Sequence, residues 1–114
     1  MDEEYVESVL SLVERIPRGR VSTYGALAAA VGRGGPRQVG RVMATYGGAV
    51  PWWRVVRADG TLPLCHDGES RARHLDEGTP MRPSGLVDMP AAMWWPDAPP
   101  PVVEEPPVVE ERTE

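Results

Sequence analysis

Apolar residues recur at Tyr5, Val6, Val9, Leu10, Leu12, Val13 and Ile16. That spacing predicts an amphipathic helix over Glu4 to Arg15 with a broad apolar stripe. Pro17-Arg18-Gly19 stops it. Ser22 or Thr23 can cap a second helix, Tyr24 to Val31, whose run Ala26-Leu27-Ala28-Ala29-Ala30 has strong helix propensity. Gly32-Arg33-Gly34-Gly35 is a turn, and Pro36 suits the first position of a third helix running to about Tyr46. Ile16 to Val50 thus reads as a helix-turn-helix of the DNA-binding kind.

The periodicity then changes. Arg54-Val55-Val56-Arg57 reads as a short strand, Asp59-Gly60 as a hairpin signal, and Thr61-Leu62 as the returning strand. A hairpin after a helix-turn-helix makes a winged helix. Glu69 to Glu77 is a last short helix ended by Gly78, and Thr79 to Trp95 is irregular, with Met93-Trp94-Trp95 expected to pack back on the domain. From Pro96 onward the chain is rich in Pro and Glu and repeats Val-Val-Glu-Glu. Such a segment cannot bury enough apolar surface to offset its ordering entropy. The expected organisation is one domain over 1–95 and a disordered acidic tail over 96–114. The fold class is mostly α with a short β-hairpin.

Charge sharpens this picture. The formal net charge of -5 taken whole argues against a nucleic-acid partner. From Arg15 to Arg57, however, there are eight Arg and no acid, whereas Asp97 to Glu114 carries six acids against one Arg. A local Arg excess on a helix-turn-helix supplies the sequence-independent part of DNA affinity. All twelve basic residues are Arg, as in GC-rich bacterial genomes. The single cysteine excludes an internal disulfide framework, and no Cys/His spacing fits a metal. No apolar run approaches transmembrane length, and the N-terminus is acidic where a signal peptide is basic. A monomeric cytoplasmic protein without cofactor or metal is expected.

Four stretches carry a resemblance. They are Ile16 to Ala28, the segment Pro36-Arg37-Gln38-Val39-Gly40-Arg41-Val42-Met43, the hexapeptide Pro51-Trp52-Trp53-Arg54-Val55-Val56 with Gly60 six residues after Arg54, and Glu77-Gly78. In this order they resemble the DNA-binding domain of the O6-alkylguanine-DNA alkyltransferases, whose active-site motif is Pro-Cys-His-Arg-Val. Trp52 stands where that family has its nucleophilic cysteine. An indole has only an N–H donor to offer and accepts no alkyl group. With Trp in that place the pattern is similar to that of the alkyltransferase-like proteins, which share the fold and lesion binding but not the transfer chemistry. The resemblance implies a winged helix-turn-helix of the alkyltransferase C-terminal type.

It also implies roles. The third helix would enter the minor groove, with Arg37 as the finger that takes the place of an extruded nucleotide. An Arg plane stacks on bases, and its donors reach the orphaned partner. Tyr24 would press on the phosphate and help rotate the nucleotide out. Gln38, Arg41, Arg33, Arg18 and Arg20 complete the expected DNA-binding set. Val50, Pro51, Trp52, Trp53 and Arg54 are the expected lesion pocket. Trp53 departs from the His usual there, which in the enzymes activates the thiol with help from the acid at the last helix. Without a thiol, Glu77 is expected to be only a surface or helix-end charge. Where relatives often carry a basic residue that probes the lesion, this chain has Cys65.

Three functions compete on this basis. The first is a sensor of O6-alkylguanine in duplex DNA that flips the base and passes the site to nucleotide excision repair proteins. The second is a winged-helix transcription regulator, which gives no reason for Tyr24, Arg37 and the Pro-Trp-x-Arg-Val motif to occur in order. The third is an alkyltransferase using Cys65 with His66. Neighbours on an extended segment point to opposite faces, so that pair is poorly placed for nucleophile and base.

Overall fold

The computed structural model describes residues 3–63 and 68–96. Helix α1, Glu3–Arg15, buries Tyr5, Val6, Val9 and Val13, the stripe that its spacing predicts. Thr23 caps α2, Tyr24–Val31, its side chain accepting the Ala26 N–H at 3.0 Å. Gly32 ends α2 in the left-handed region. Helix α3, Pro36–Tyr46, begins with Pro at its first turn and buries Val39 and Val42. The Gln38 Oε1 accepts the Gly35 N–H at 2.9 Å, closing the helix start.

These three helices share one core. Val9, Val13, Ile16, Leu27, Val39 and Val42 are all at most 1% exposed. Each such side chain contributes about 1.5–3 kcal/mol by leaving water. Two single 3-10 turns follow α3, at Gly47–Ala49 and Trp52–Arg54. They carry the chain back to the core at Val55.

The strand pairing differs from the expected hairpin. Strand β2, Val55–Val56, pairs in parallel with β1, Ser22–Thr23, in the register Ser22 with Val55 and Thr23 with Val56. The turn signalled by Asp59-Gly60 does form: Gly60 N–H donates to the Arg57 carbonyl at 2.8 Å and Arg57 N–H to that of Thr61 at 3.1 Å. The returning strand does not, because the Thr61 N–H turns back to the Asp59 Oδ1 at 2.9 Å and Pro63 has no N–H to offer a ladder. The fold is mostly helical, as expected, with a small two-stranded parallel sheet in place of the hairpin.

Helix α4, Glu69–Glu77, ends at Gly78, whose φ of 74° closes it in the left-handed region. The segment after it is more ordered than expected. Arg82 N–H donates to the Leu86 carbonyl at 2.8 Å in a tight turn, and Met81 bridges to Val87. A short helix α5, Met89–Ala92, then delivers Met93 beside Val21. Val21, Val56, Val87 and Ala92 make a second apolar cluster. Trp94 packs on the main core with Arg15 stacked 6.0 Å from its ring centre, while Trp95 is 58% exposed. Of the expected tail, Pro96 is buried and residues 97–114 lie outside the described residues.

Candidate nucleic-acid interface

A cavity of about 770 Å³ opens between α3 and the turn after β2. Its apolar wall comprises Tyr24, Met43, Trp52, Leu62 and Pro63. Gly40, Ala44, Gly47 and Gly48 keep that wall low where α3 passes and ends. Thr45, Thr61 and Arg57 supply its polar side chains. Of the five expected pocket residues, the structure places Trp52 on this wall. Val50, Pro51, Trp53 and Arg54 line a separate depression of about 540 Å³, shared with Glu14 and Arg73. The division follows from the 3-10 turn at Trp52–Arg54: the two indoles stand edge to face, at 87° with centres 5.6 Å apart.

The Arg excess is sorted by pairing. Arg54 is consumed in a buried ion pair, Arg18 meets Asp76 at 3.1 Å in an exposed one, and Arg20 donates to the Ala91 carbonyl at 3.0 Å. Arg33 lies 5.4 Å from the Tyr5 ring centre. Arg37 and Arg41, one helical turn apart, are exposed on α3, the helix that also lines the cavity with Gly40, Met43 and Ala44. Neither makes an ion pair or side-chain hydrogen bond with any described residue. Uncommitted positive charge therefore sits beside the cavity on α3. Gln38 is exposed there too, with its carbonyl oxygen used in the helix start.

Glu77 is not the helix-end surface charge expected of it. Its side chain is 3% exposed. It accepts from Arg54 Nη2 at 2.6 Å, Arg54 Nε at 3.1 Å, Trp53 Nε1 at 3.0 Å and Gly19 N–H at 3.2 Å. Arg54 also donates to the Ile16 carbonyl at 2.9 Å. The carboxylate thus ties α4 to the loop before β1 and to the Trp52–Arg54 turn. Burial disfavours its charge, yet the donors from Arg54, Gly19 and Trp53 outweigh that and hold it below its usual value. Trp53 keeps a donor toward this acid, and Arg73 stacks 4.4 Å from its ring centre.

His74, fully buried on α4, joins this cluster although it is not among the residues expected at the site. Its Nε2 lies 2.6 Å from the Trp53 carbonyl and its Nδ1 2.8 Å from the Thr79 hydroxyl. The carbonyl can only accept, so Nε2 carries the proton and, in the neutral ring, Nδ1 accepts from Thr79. Burial pushes its proton affinity down, opposed by the Trp53 carbonyl and Glu77 and aided by Arg54. The spacing of Ser70, His74 and Glu77 along α4 is the signal that places all three on one face. Among the described residues no three His, Cys, Asp or Glu side chains come together to hold a metal ion. Cys65 and His66 lie outside the described residues.

Residues 4–77 match the 6-O-methylguanine DNA methyltransferase, DNA binding domain. The chain belongs to that family. Within the methyltransferase family it is 35% identical over 98 residues to a DNA base-flipping protein of Escherichia coli K12, covering 82% of this chain and 76% of that one. It is 36% identical over 110 residues to Alkyltransferase-like protein 1 of Schizosaccharomyces pombe, covering 84% of this chain and 98% of that one. The crystal structure of S. pombe Atl1 in complex with damaged DNA containing O6-carboxymethylguanine superposes with a TM-score of 0.71 at 30% identity, over 82% of this chain and 97% of the other. The methyltransferase-family fold brings Tyr24, Trp52 and the Arg37-bearing helix to one cavity and leaves Trp53 and Arg54 with Glu77 beneath the same turn.

Proposed function

We propose that this protein is a sensor of O6-alkylguanine in duplex DNA, which extrudes the damaged nucleotide into the Trp52 cavity and leaves the alkyl group in place. The observation that carries the reading is Trp52 on the cavity wall, at the position where an alkyl-transferring relative needs a thiolate. An indole offers a flat apolar surface to the base and its alkyl substituent and no nucleophile. Two kinds of relative bear names that agree, a base-flipping protein and an alkyltransferase-like protein, the second crystallised on O6-carboxymethylguanine DNA.

In this reading α3 lies in the minor groove. Arg37 fills the place of the extruded nucleotide, Tyr24 acts on the neighbouring phosphate, and Arg41, Gln38 and Arg33 hold the backbone. Arg18 and Arg20 reach phosphate only by giving up or sharing the Asp76 and Ala91 contacts. Extrusion costs a few kcal/mol, less where pairing is already damaged, and that difference is itself a source of selectivity. The bound, flipped lesion would be handed to nucleotide excision repair proteins in the bacterial cytoplasm.

The test is a titration of matched duplexes carrying guanine or O6-methylguanine at one stated salt concentration, followed by mass spectrometry of protein and DNA. Expected are a lesion preference of at least about ten-fold, equivalent to 1.4 kcal/mol, and unchanged masses. Stoichiometric alkylation of the protein with guanine restored would overturn the sensor reading. Its loss in Cys65→Ser would name the nucleophile. Tight binding to one undamaged sequence with no lesion preference would favour a regulator.

A further inference from the structure

Among the described residues of the cavity wall, Arg57 is the one side chain that carries a charge. Its position is fixed by the turn after β2. The Arg57 N–H donates to the Thr61 carbonyl at 3.1 Å, and its carbonyl accepts the Gly60 N–H at 2.8 Å. Gly60 is held in turn by the Val87 N–H at 3.0 Å. It cannot carry a side chain, since a Cβ there would lie 2.5 Å from the Val87 oxygen at a φ of +92°. The backbone of Arg57 is therefore set relative to the cavity.

Its guanidinium is not committed. It is exposed and makes no ion pair or hydrogen bond with any described residue. Asp59, on the same turn and within its electrostatic reach, is occupied by Thr61, which donates its N–H at 2.9 Å and its hydroxyl at 2.6 Å to Oδ1. A guanidinium presents a planar fork of donors that matches a carboxylate with two parallel hydrogen bonds. Once a flipped base fills the chamber and displaces its water, such a pair is stronger than in bulk water. A carboxylate brought into the same chamber without a partner would lose hydration and gain nothing for it.

We propose that Arg57 makes the cavity selective for O6-alkyl groups ending in a carboxylate over neutral groups of the same size. The inference rests on the reading of this cavity as the receptor of the flipped base, and it adds a residue that decides which lesions are held best. Arg57 acts on the far end of the substituent, while Trp52 and Met43 serve the base and the alkyl stem.

The experiment uses the full chain and three duplexes identical except at one guanine: unmodified, O6-carboxymethyl, and the neutral O6-carbamoylmethyl of equal size. Dissociation constants are measured at one salt concentration for the parent and for Arg57→Gln and Arg57→Lys, with thermal melts to confirm folding. The parent is expected to favour the carboxymethyl over the carbamoylmethyl lesion about ten-fold, equivalent to 1.4 kcal/mol. Arg57→Gln should bring that ratio near one, and Arg57→Lys should keep part of it. A parent ratio near one, or a ratio that survives in Arg57→Gln, would overturn the proposal. So would an equal loss on all three duplexes, which would make Arg57 a phosphate contact. If both lesions bind no tighter than guanine, the damage-sensor reading falls as well, so the two failures are distinguishable.

Discussion

Replacing Glu77 by Ala removes one acceptor and strands three donors. Arg54, 14% exposed, keeps only the Ile16 carbonyl, and the Trp53 indole N–H and Gly19 N–H lose their partner. Deleting one member of a buried ion pair costs about 3–5 kcal/mol, because the other charge stays buried without compensation. Arg54 retains one hydrogen bond and some solvent, which places the expected loss near the lower end, about 3 kcal/mol. For a folded region of this size that is a fall in Tm of roughly 15 °C. Urea titration and thermal melting of parent and variant measure it. Glu77→Gln keeps the shape and one acceptor oxygen but not the charge, and should fall between. An Arg54→Met, Glu77→Leu double variant should cost clearly less than the sum of the single losses, since an apolar pair leaves no unpaired charge. A Glu77→Ala variant within about 1 kcal/mol of the parent would be ordinary for a surface site and would refute the structural role assigned to this carboxylate.

Acidification should destabilise the fold in two stages. His74 is held below 6.5 chiefly by burial, so the unfolded chain takes the proton first. Its contribution is complete above 6.5 and is lost as pH falls from there toward the folded value. Glu77 is held below 4.5 by its donors despite burial, so its contribution is present above 4.5 and disappears as pH falls through the folded value. Urea midpoints against pH should therefore drop from pH 7 downward, and His74→Gln should flatten the first stage; a parent curve level between pH 7 and 5 would refute this. Gly60→Ala should cost about 3 kcal/mol by driving a Cβ into the Val87 carbonyl at positive φ, and an unchanged melt would show that the turn relaxes freely. Arg37→Ala should weaken lesion binding and reduce the signal of a fluorescent base analogue at the flipped site, and normal flipping would show that the finger lies elsewhere. Truncation after Trp95 removes six acids and one Arg; it should raise DNA affinity mainly at low salt, where charges are least screened, and equal affinities in low-salt titrations would dismiss competition by the tail.

What the sequence disclosed and what it hid divide along the range of the interactions involved. The three helices of the helix-turn-helix and α4 were legible because their stripes, caps and stops are local: the Tyr5–Ile16 spacing, Thr23, Pro36 and Gly78. The Asp59-Gly60 turn was legible for the same reason. Its strand partner was not, since Val55–Val56 pairs with Ser22–Thr23 far back in the chain, and nothing in either short segment names the other. The hexapeptide motif disclosed that an indole replaces the thiol. It could not disclose that the 3-10 turn sends Trp52 to the cavity and Trp53 to Glu77. The missing thiol points to Glu77 as a mere surface or helix-end charge, but a carboxylate that receives a guanidinium, an indole N–H and a backbone N–H ties these segments together whether or not there is a thiol to activate.

The charge pattern shows the same division in energetic terms. Eight Arg without an acid between residues 15 and 57 mark a basic region but overstate the charge it has free. Two of them are answered by acids of α4, beyond the window: Glu77 takes Arg54 and Asp76 takes Arg18. Arg15 stacks on Trp94 and Arg20 binds a carbonyl of α5. Of these eight, the guanidinium groups of Arg37, Arg41 and Arg57 make no hydrogen bond, ion pair or ring stack with a described residue, and they sit on the helix and the turn that enclose the cavity. An Arg already paired must break that pairing before it can neutralise a phosphate, so it adds less to affinity than its formal charge implies. Folding thus leaves guanidinium groups without a described partner beside the chamber that Trp52 lines.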